Sequence, residues 1–546
     1  MKVVRRGRPV GVVAALVVLV ASAPLLFVLY SAMDVSLERW AGLWSARIPG
    51  LLWNTLSLAV GVSFFSLVLG LSSAWLIARR SFPGRRLAVW LMVLPLAVPT
   101  YVLAHVYITL LEPGGVLAEM WLGVSGGRLP VPQLHGLGGA VFVLTLAGYS
   151  YVFLLARAAL VRTSPSLEQA ARATGAGPWR AFWRVNLPLL RPALAAGVAL
   201  IVLHVLSEFG AVSLLRFQTF TLAIYLQISG RMDFSGAAGL SLVLVALTLA
   251  FLVLERVFRS RQRYYARSMR GAAELPRRAS VMEMGLIWAW LGLVALLAFG
   301  VPLVWMLHWS WQAWLSGAID ARFWGYAANS LGVAAMAGVL TVVAALPIAL
   351  YHMRARHWLS TAFVHLSSVG FVLPGPVIAL GVLMLALTLL APLYGTLAAL
   401  VFALVVRFLP LAVQSEEAAL QQFSPSLEQA GRSLGAGPLE TLWRVTVPMI
   451  RPGLATAFVL VFIDVLKELP ATLILRPTGF DTLPVRIWIE ASEEMLEVAA
   501  PAALMLVVLS LPAIWVLMRL TGEPATAHRT RSGARTVTPR PGFAGI

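Results

Sequence analysis

The sequence predicts an all-α, polytopic membrane protein made of two tandem six-helix units. Sixty per cent of its 546 residues are hydrophobic and 12% are charged, with a mean hydropathy of +0.85, a composition typical of membrane proteins. The apolar residues fall into stretches near the roughly 20 residues that a helix needs to cross a bilayer. One polar segment occurs twice, which indicates an internal duplication.

The apolar stretches form two sets of six. The first set lies at about 10–31, 53–78, 87–111, 138–161, 192–215 and 236–258. The second lies at about 284–310, 329–351, 360–390, 394–413, 452–475 and 498–520. The first stretch is too long for the h-region of a signal peptide, so it is predicted to be a span. The predicted division is a first unit at 1–258, a basic linker at 259–283, a second unit at 284–522 and a polar tail at 523–546.

The arginines predict the orientation of the chain. The formal net charge is +19, and arginines cluster at 5–8, 79–86, 157–191 and 256–278, alternating with poorer loops. By the positive-inside rule both termini, the repeated segments and the linker are cytoplasmic. Because the arginines follow the ends of apolar runs, they indicate the lipid bilayer as a partner and argue against nucleic acid.

The linker is strongly basic. From 260 to 280 a single acidic residue, Glu274, stands among six arginines: Arg261, Arg263, Arg267, Arg270, Arg277 and Arg278. This composition predicts a solvated tether near anionic lipid headgroups. The chain has no cysteine, which excludes a disulfide framework and a thiolate metal site.

The repeated polar segment is the most informative motif. Ser164–Pro192 returns 260 positions later as Ser424–Pro452, with 18 of 29 residues identical. In the first copy the pattern predicts a helix that Gly175 and Gly177 with Pro178 stop, then a short helical run, Trp179 to Val185, that ends at Pro188. Connectors are usually free to vary, so two copies this similar indicate that the segment meets the same kind of partner twice. We call these segments the two cassettes.

The halves also match outside the cassettes. WNTLSLAV at 53–60 corresponds to ANSLGVAA at 328–335, and VPTYVLA at 98–104 corresponds to LPGPVIA at 373–379, both at an offset of 275. The offset falls to 260 because the first half has a longer outer loop at 112–136. An even number of spans in each copy predicts a parallel repeat about an axis along the membrane normal.

The cassette resembles the EAA loop of ABC-importer permeases, whose pattern is EAA, three residues, Gly, nine residues, Ile, one residue, Leu-Pro. The matching positions are Gln169, Ala170, Ala171, Gly175, Val185, Leu187 and Pro188, and then Gln429, Ala430, Gly431, Gly435, Val445, Val447 and Pro448. Both copies place Gln where Glu is usual, with Glu168 and Glu428 one residue earlier. The resemblance implies that each cassette docks as a rigid knob on a cytoplasmic ATPase.

The chain itself shows no means of using ATP. Its only lysines are Lys2 and Lys467, and neither ends a phosphate-binding GxxxxGK[ST] loop. We therefore expect a transport subunit that is not an enzyme and binds no cofactor, with ATP and Mg bound by two copies of a separate ABC ATPase. Within the cassettes, Gly175 and Gly435 are expected to allow the sharp turn. Pro188 and Pro448 are expected to set the re-entry into the next span.

Polar residues inside the apolar spans need an explanation because they are costly there. Two trios align at the 260 offset: His204, Ser207 and Glu208, and then Asp464, Lys467 and Glu468. Their spacing places each trio on one helix face. Two interpretations remain open. The trios line the translocation pathway, or Asp464 pairs with Lys467 while the carboxylates lie near the outer membrane surface.

Two other sets of residues are interpreted structurally. His352, His357 and His365 lie in or near a cytoplasmic loop without a cysteine or carboxylate, so we expect no metal site there. The tryptophans, among them Trp305, Trp309, Trp311 and Trp314, are expected to form an interfacial belt.

The segment Asp464–Trp488 is similar to the segment after the second EAA loop in ferric-iron importer permeases, which are fused twelve-span chains; Ser207–Tyr225 echoes it in the first half. The resemblance implies a multi-pass permease of the bacterial cytoplasmic (inner) membrane that receives ferric iron from an extracytoplasmic binding protein. Permeases of the same layout carry thiamine, small anions or phosphonates.

Two other classes of protein fit the sequence less well. An ion-coupled secondary transporter with parallel repeats would not need a duplicated cytoplasmic knob. A membrane enzyme is disfavoured, since the sequence contains no HExxH, nucleophile elbow or paired catalytic carboxylates.

Overall fold

The fold is known from a computed structural model that describes residues 8–162, 166–260, 277–355, 357–368, 370, 373–493 and 495–521. Within these residues the helices of the first half are α1 Arg8–Met33, α2 Leu37–Ala46, α3 Ile48–Arg79, α4 Arg85–Val93, α5 Thr100–Leu111, α6 Val116–Ser125, α7 Leu137–Arg162, α8 Ser166–Ala173, α9 Pro178–Ala181, α10 Leu187–Ser207, α11 Gly210–Leu214, α12 Phe220–Tyr225 and α13 Phe234–Ser260. Those of the second half are α14 Val281–Ala295, α15 Val301–Ser316, α16 Ala321–Ala355, α17 Trp358–Ser367, α18 Gly375–Thr388, α19 Leu397–Leu420, α20 Pro425–Ser433, α21 Pro438–Thr441, α22 Val447–Leu466, α23 Pro470–Leu475, α24 Leu483–Ser492 and α25 Leu496–Thr521.

Each half is built around the same three packed helices. In the first half α3, α7 and α10 pack on one another, and α16, α19 and α22 do so in the second. The repeat extends to single contacts: Asn54 donates a hydrogen bond to the Gln218 carbonyl at 2.9 Å, and Asn329 donates one to the Asp481 carbonyl at 2.9 Å. The predicted duplication is therefore present in the fold.

The first helix of each half crosses to the other half. Helix α1 packs against α13 of its own half and against α18 of the second half. A Cβ on Gly381 of α18 would lie 2.3 Å from the Pro24 carbonyl oxygen of α1, so only glycine permits this approach. In the counterpart contact α15 packs on α5, and Tyr107 of α5 donates a hydrogen bond to the Leu297 carbonyl. The two apolar cores are thus each shared between the halves.

Two predicted spans are not single helices, and in this respect the sequence prediction is wrong. Residues 87–111 form a pair of helices bent by 92°, because Pro95 and Pro99 interrupt the backbone hydrogen bonds. Residues 360–390 include α17 and α18, which are separated before Pro374; α18 has 14 residues and spans only roughly 21 Å. The described part of the chain contains ten helices long and apolar enough to cross a membrane, or eleven counting the bent pair.

The cassettes have nearly the same backbone in both halves. As the sequence predicts, α8 and α20 end before Gly175 and Gly435, whose φ angles are +90° and +93°. The predicted helix end at Pro188 is wrong, and its counterpart Pro448 does not end a helix either. A widened π turn, at 182–186 and at 442–446, leads directly into α10 and α22, so each helix runs on through its proline. Ser164 and Pro165 lie outside the described residues.

The end of the linker is held against the first half. Arg277–Arg278 form a short parallel strand pair with Arg80–Ser81, and the Glu283 carboxylate lies 3.9 Å from the Arg80 guanidinium and 3.5 Å from that of Arg277. The other linker arginines lie at 261–276, outside the described residues, so the tether stays a prediction. The tail at 523–546 also lies outside them.

Candidate functional site

The two carboxylates singled out by the sequence lie just beyond the ends of α10 and α22. Glu208 directly follows the last residue of α10, and Glu468 lies two residues after the end of α22. Each trio therefore extends past the end of its helix, and in the first half His204 and Glu208 still approach each other across one turn. Each carboxylate turns back to accept a backbone N–H three residues on, from Ala211 at 2.9 Å and from Ala471 at 3.1 Å. Both are almost fully buried.

In the first half Glu208 is held mainly by neutral donors. Its Oε1 also accepts a hydrogen bond from the Thr100 hydroxyl at 2.9 Å, and its backbone carbonyl accepts one from the Thr221 hydroxyl. His204 Nε2 lies 3.7 Å from Oε2 of Glu208. Thr100 is the first residue of α5, directly after the bend in the broken span.

In the second half Glu468 is held by a guanidinium. Arg407, from the middle of α19, donates from Nη1 to Oε1 of Glu468 at 3.0 Å. The Thr472 hydroxyl donates to the Glu468 carbonyl at 3.2 Å. The guanidinium fits because Gly375 has no side chain: a Cβ there would lie 2.0 Å from Nη1 of Arg407 and 2.8 Å from Oε1 of Glu468.

Lys467 ties the second half to the broken span of the first. Its Nζ donates to the Leu96 carbonyl at 3.0 Å. Among the described residues no ion pair within 4.0 Å joins Lys467 to Asp464, although the charges of Lys467, Arg407 and His204 all act on the half-buried Asp464. The structure thus gathers one set of residues from both halves, in which the two glutamates are buried and the other four side chains are half-buried. We call it the central charge cluster; it comprises His204, Glu208, Arg407, Asp464, Lys467 and Glu468.

Sequence reasoning missed three residues around this cluster. Arg407 carried a signal, since an arginine inside an apolar span marks a functional site by default. Thr100 and Tyr101 carried no sequence signal beyond their place in the repeated VPTYVLA segment. Tyr101 is 3% exposed, and its hydroxyl has no hydrogen-bond partner among the described residues.

Each cassette holds its glutamate against the following π turn. Asn186 Nδ2 donates to Oε2 of Glu168 at 3.1 Å, and the Thr446 hydroxyl donates to Oε1 of Glu428 at 2.8 Å. Only the second cassette has a described tie to a spanning helix, in which Arg354 at the end of α16 donates to Glu428 at 2.9 Å. Burial raises the pKa of Glu428, but the hydrogen bonds from Arg354 and Thr446, with the nearby positive charges, lower it below its ordinary value.

The remaining cassette residues form a solvent-facing surface. Ala170, Gly175, Gln429, Ala430 and Gly435 are exposed, while Ala171 and Gly431 are half-buried; the Gln169 side chain is outside what the structure describes. Large apolar side chains are exposed beside them, which is typical of a docking surface. These are Trp179, Trp183, Leu434, Leu439 and Trp443. Sequence reasoning missed them, although tryptophan at both 183 and 443 was a usable signal.

The histidines and tryptophans have partly different roles from those expected. His357 begins α17 as its N-cap, accepting the Leu359 N–H, and is hydrogen-bonded to the Tyr351 hydroxyl at 3.1 Å. Trp311 and Trp314 are exposed, as a belt requires. Trp305 is buried and packs edge-on against His105, so its assignment to the belt is wrong.

Comparison with known proteins identifies the fold's relatives. The chain matches the family model for the binding-protein-dependent transport system inner membrane component twice, at residues 66–270 and 337–521. It is 33% identical over 492 residues to the Fe(3+)-transport system permease protein FbpB 2 of Haemophilus influenzae, covering 89% of this chain and 93% of that protein. It is 27% identical over 461 residues to the putative ferric transport system permease protein FbpB 1 of the same species, covering 80% and 72%.

A third relative aligns over a length close to that of one of the two units of this chain. The molybdenum transport system permease protein ModB of Escherichia coli is 32% identical over 215 residues, which cover 37% of this chain and 91% of that protein. The family implies a multi-pass transport subunit of the inner membrane, without enzymatic activity of its own, that works with an ATPase and a substrate-binding protein. The chain belongs to the family of binding-protein-dependent transport system inner membrane components, as a fused two-unit permease of an ABC importer.

Proposed function

We propose that this permease carries ferric iron delivered by an extracytoplasmic binding protein. The observation that supports it is the extent of the match to a ferric permease, which covers 89% of this chain and both of its units. The molybdenum relative covers only 37% of this chain, so it supports an anion cargo less strongly. Thiamine and phosphonates remain cargoes to be tested.

The proposed pathway runs between the ends of α10 and α22, past Glu208 and Glu468. Supporting it, the two carboxylates occupy equivalent positions in the two halves, and each lies beside a broken span. Carboxylate oxygens suit a hard cation. Two carboxylates along a path favour passage over permanent binding, since conduction requires that the cation leave again.

The cassettes are proposed to be the sites of coupling. Two equivalent cassettes predict two copies of the cytoplasmic ATPase, which bind ATP and Mg. The supporting features are the exposed apolar residues, such as Trp183 and Trp443, next to the paired helices α8 and α20. Closure of the two ATPase copies on ATP would then move α10 and α22, because the π turns join each cassette to its helix without a break.

The proposed topology has both termini, the linker and the cassettes in the cytoplasm, with the unit boundaries at 258 and 284. It rests on the arginine distribution. Protease added to right-side-out vesicles should leave the linker intact, whereas inverted vesicles should be cut there. Cutting from the outside would contradict the whole topology.

The experiment that tests the cargo is uptake by proteoliposomes that contain the permease, its ATPase and the binding protein. We expect ATP-dependent uptake of radiolabelled ferric iron and none of molybdate or thiamine. Changing both Glu208→Gln and Glu468→Gln should abolish uptake while stimulated ATP hydrolysis persists. Undiminished uptake in the double variant would refute the pathway, and uptake driven by an ion gradient without ATP would indicate a secondary transporter.

A further inference from the structure

Tyr101 is a buried polar side chain that lacks a partner. It lies in the first turn of α5, directly after the bend of the broken span, and it is 3% exposed. Its hydroxyl accepts and donates no hydrogen bond among the described residues. A buried hydroxyl without a partner costs about 1–3 kcal/mol, so its retention needs an explanation.

Tyr101 is placed close to the two pathway carboxylates by its neighbours in the chain and in space. Glu468 and Glu208 are the charged groups that act on it. The next residue back, Thr100, binds Oε1 of Glu208 directly, which fixes the start of α5 against that carboxylate. The Tyr101 ring lies against Gly210, where a Cβ would come within 2.8 Å of the ring, so glycine leaves the space that the ring occupies.

The two carboxylates differ in how their charge is balanced. Glu468 is 3.0 Å from the Arg407 guanidinium, so its negative charge is already compensated. Glu208 accepts from a hydroxyl and a backbone N–H, and the nearest group able to become cationic is His204, at 3.7 Å. Of the two, Glu208 is therefore the carboxylate free to bind a cation without first losing an arginine.

We propose that the phenolic oxygen of Tyr101 and the carboxylate of Glu208 form a one-sided transit site for a hard trivalent cation, and that Glu468 serves to hold Arg407. The inference rests on the ferric cargo proposed above. Phenolate and carboxylate oxygens are ligands of the kind that such cations prefer. On binding, a bond from the cation to an oxygen of its carrier is replaced by one to Tyr101, and the phenol proton passes to that carrier oxygen.

The test uses Tyr101→Phe, which removes one oxygen and keeps the ring. The matched control is Tyr107→Phe, six residues along the same helix, whose hydroxyl already donates to the Leu297 carbonyl. We expect Tyr101→Phe to lower ferric uptake by about tenfold or more, with assembly and stimulated ATP hydrolysis retained. The control should take up iron at the wild-type rate.

A direct readout separates ligation from packing. Ferric citrate added to the purified permease–ATPase complex should produce a visible phenolate-to-iron charge-transfer absorption that Tyr101→Phe and Glu208→Gln remove and Tyr107→Phe retains. The proposal would be overturned if the Tyr101→Phe variant took up iron at the wild-type rate, or if it kept the charge-transfer absorption. If wild-type proteoliposomes take up no iron, the cargo assignment fails instead, so the two failures are distinguishable.

Discussion

The two halves keep the same carboxylate but hold it with different chemistry. Glu208 is bound by the Thr100 hydroxyl, whereas Glu468 is bound by the Arg407 guanidinium. The exchange is reciprocal, because the counterpart of Thr100 is Gly375, and the counterpart of Arg407 is Ala147. The two halves therefore supply the carboxylate with a donor in two ways. The first half uses a neutral hydroxyl, with Thr100 and Ala147 at the two positions. The second half uses a charged guanidinium, with Gly375 and Arg407 there. Duplication conserved the carboxylate and its backbone N–H while the third partner diverged.

The cassettes repeat this contrast outside the spans. Glu168 accepts from the Asn186 amide, while Glu428 accepts from the Thr446 hydroxyl and also from Arg354 of α16. In both places the described contacts of the second half include an arginine from a spanning helix. Stability in the second half should therefore depend more on charge than in the first.

The largest expected effect comes from removing the guanidinium. Arg407→Met keeps an apolar side chain of similar length but leaves Glu468 buried with its charge uncompensated, which costs about 3–5 kcal/mol. Thr100→Val in the first half removes one hydrogen bond and should cost about 1–2 kcal/mol. Thermal unfolding of the purified complex in detergent measures both, and equal losses would break the contrast between the halves.

The next prediction asks whether the hydroxyl donor of the first half can replace the guanidinium donor of the second. Gly375→Ala alone should destabilise by about 1–3 kcal/mol, because its Cβ would meet Arg407. The triple change Gly375→Thr, Arg407→Ala and Pro470→Gly copies the first half, where Thr100, Ala147 and Gly210 stand. Pro470 must change as well, since its Cγ would lie 2.7 Å from the new Cβ.

We expect the triple variant to unfold at a higher temperature than Arg407→Ala alone, because Glu468 regains a hydroxyl donor. A triple variant no more stable than the single one would mean that the repeat does not preserve equivalent geometry at this position.

The sequence predicted the features that local patterns determine. The cassettes were recognisable because their helix, glycine turn and proline follow one another within 29 residues. The positive φ angles at Gly175 and Gly435 follow from the same local chemistry. The number of apolar stretches and the duplication also follow from patterns that neighbouring residues carry.

The partners of the carboxylates were not predictable in this way. Thr100 and Glu208 are 108 residues apart, and Arg407 and Glu468 are 61 apart, so their pairing depends on which helices pack together. The bent span at 87–111 contained visible prolines at 95 and 99, and the stretch at 360–390 contained one at 374, but hydropathy averaged over a window does not register a break in the backbone.

A third prediction concerns the feature in which the halves are alike. Gly175→Val and Gly435→Val place a β-branched residue at a φ near +90°, with no atom within 4 Å of the new Cβ. The cost is therefore backbone strain alone, at least about 1–2 kcal/mol for each turn. Both variants should assemble and hydrolyse ATP but import more slowly, by similar factors. Wild-type import by both would refute the coupling role of the cassettes.

The smallest expected effect concerns Arg354, the arginine that binds the glutamate of the second cassette. Arg354→Gln should remove the tie between Glu428 and α16 at a cost of about 1 kcal/mol or less, since the pair is partly exposed. Because the pKa of Glu428 is lowered in the folded protein, its contribution is present above the ordinary glutamate pKa and is lost as the pH falls through the lowered one. Thermal unfolding followed from neutral to acidic pH should therefore show a shallower acid-side decline in Arg354→Gln than in the wild type. Asn186→Ala, which removes the neutral contact of the first cassette, should keep the wild-type slope; if it flattens the decline as much as Arg354→Gln does, the second cassette is not distinguished by its charge.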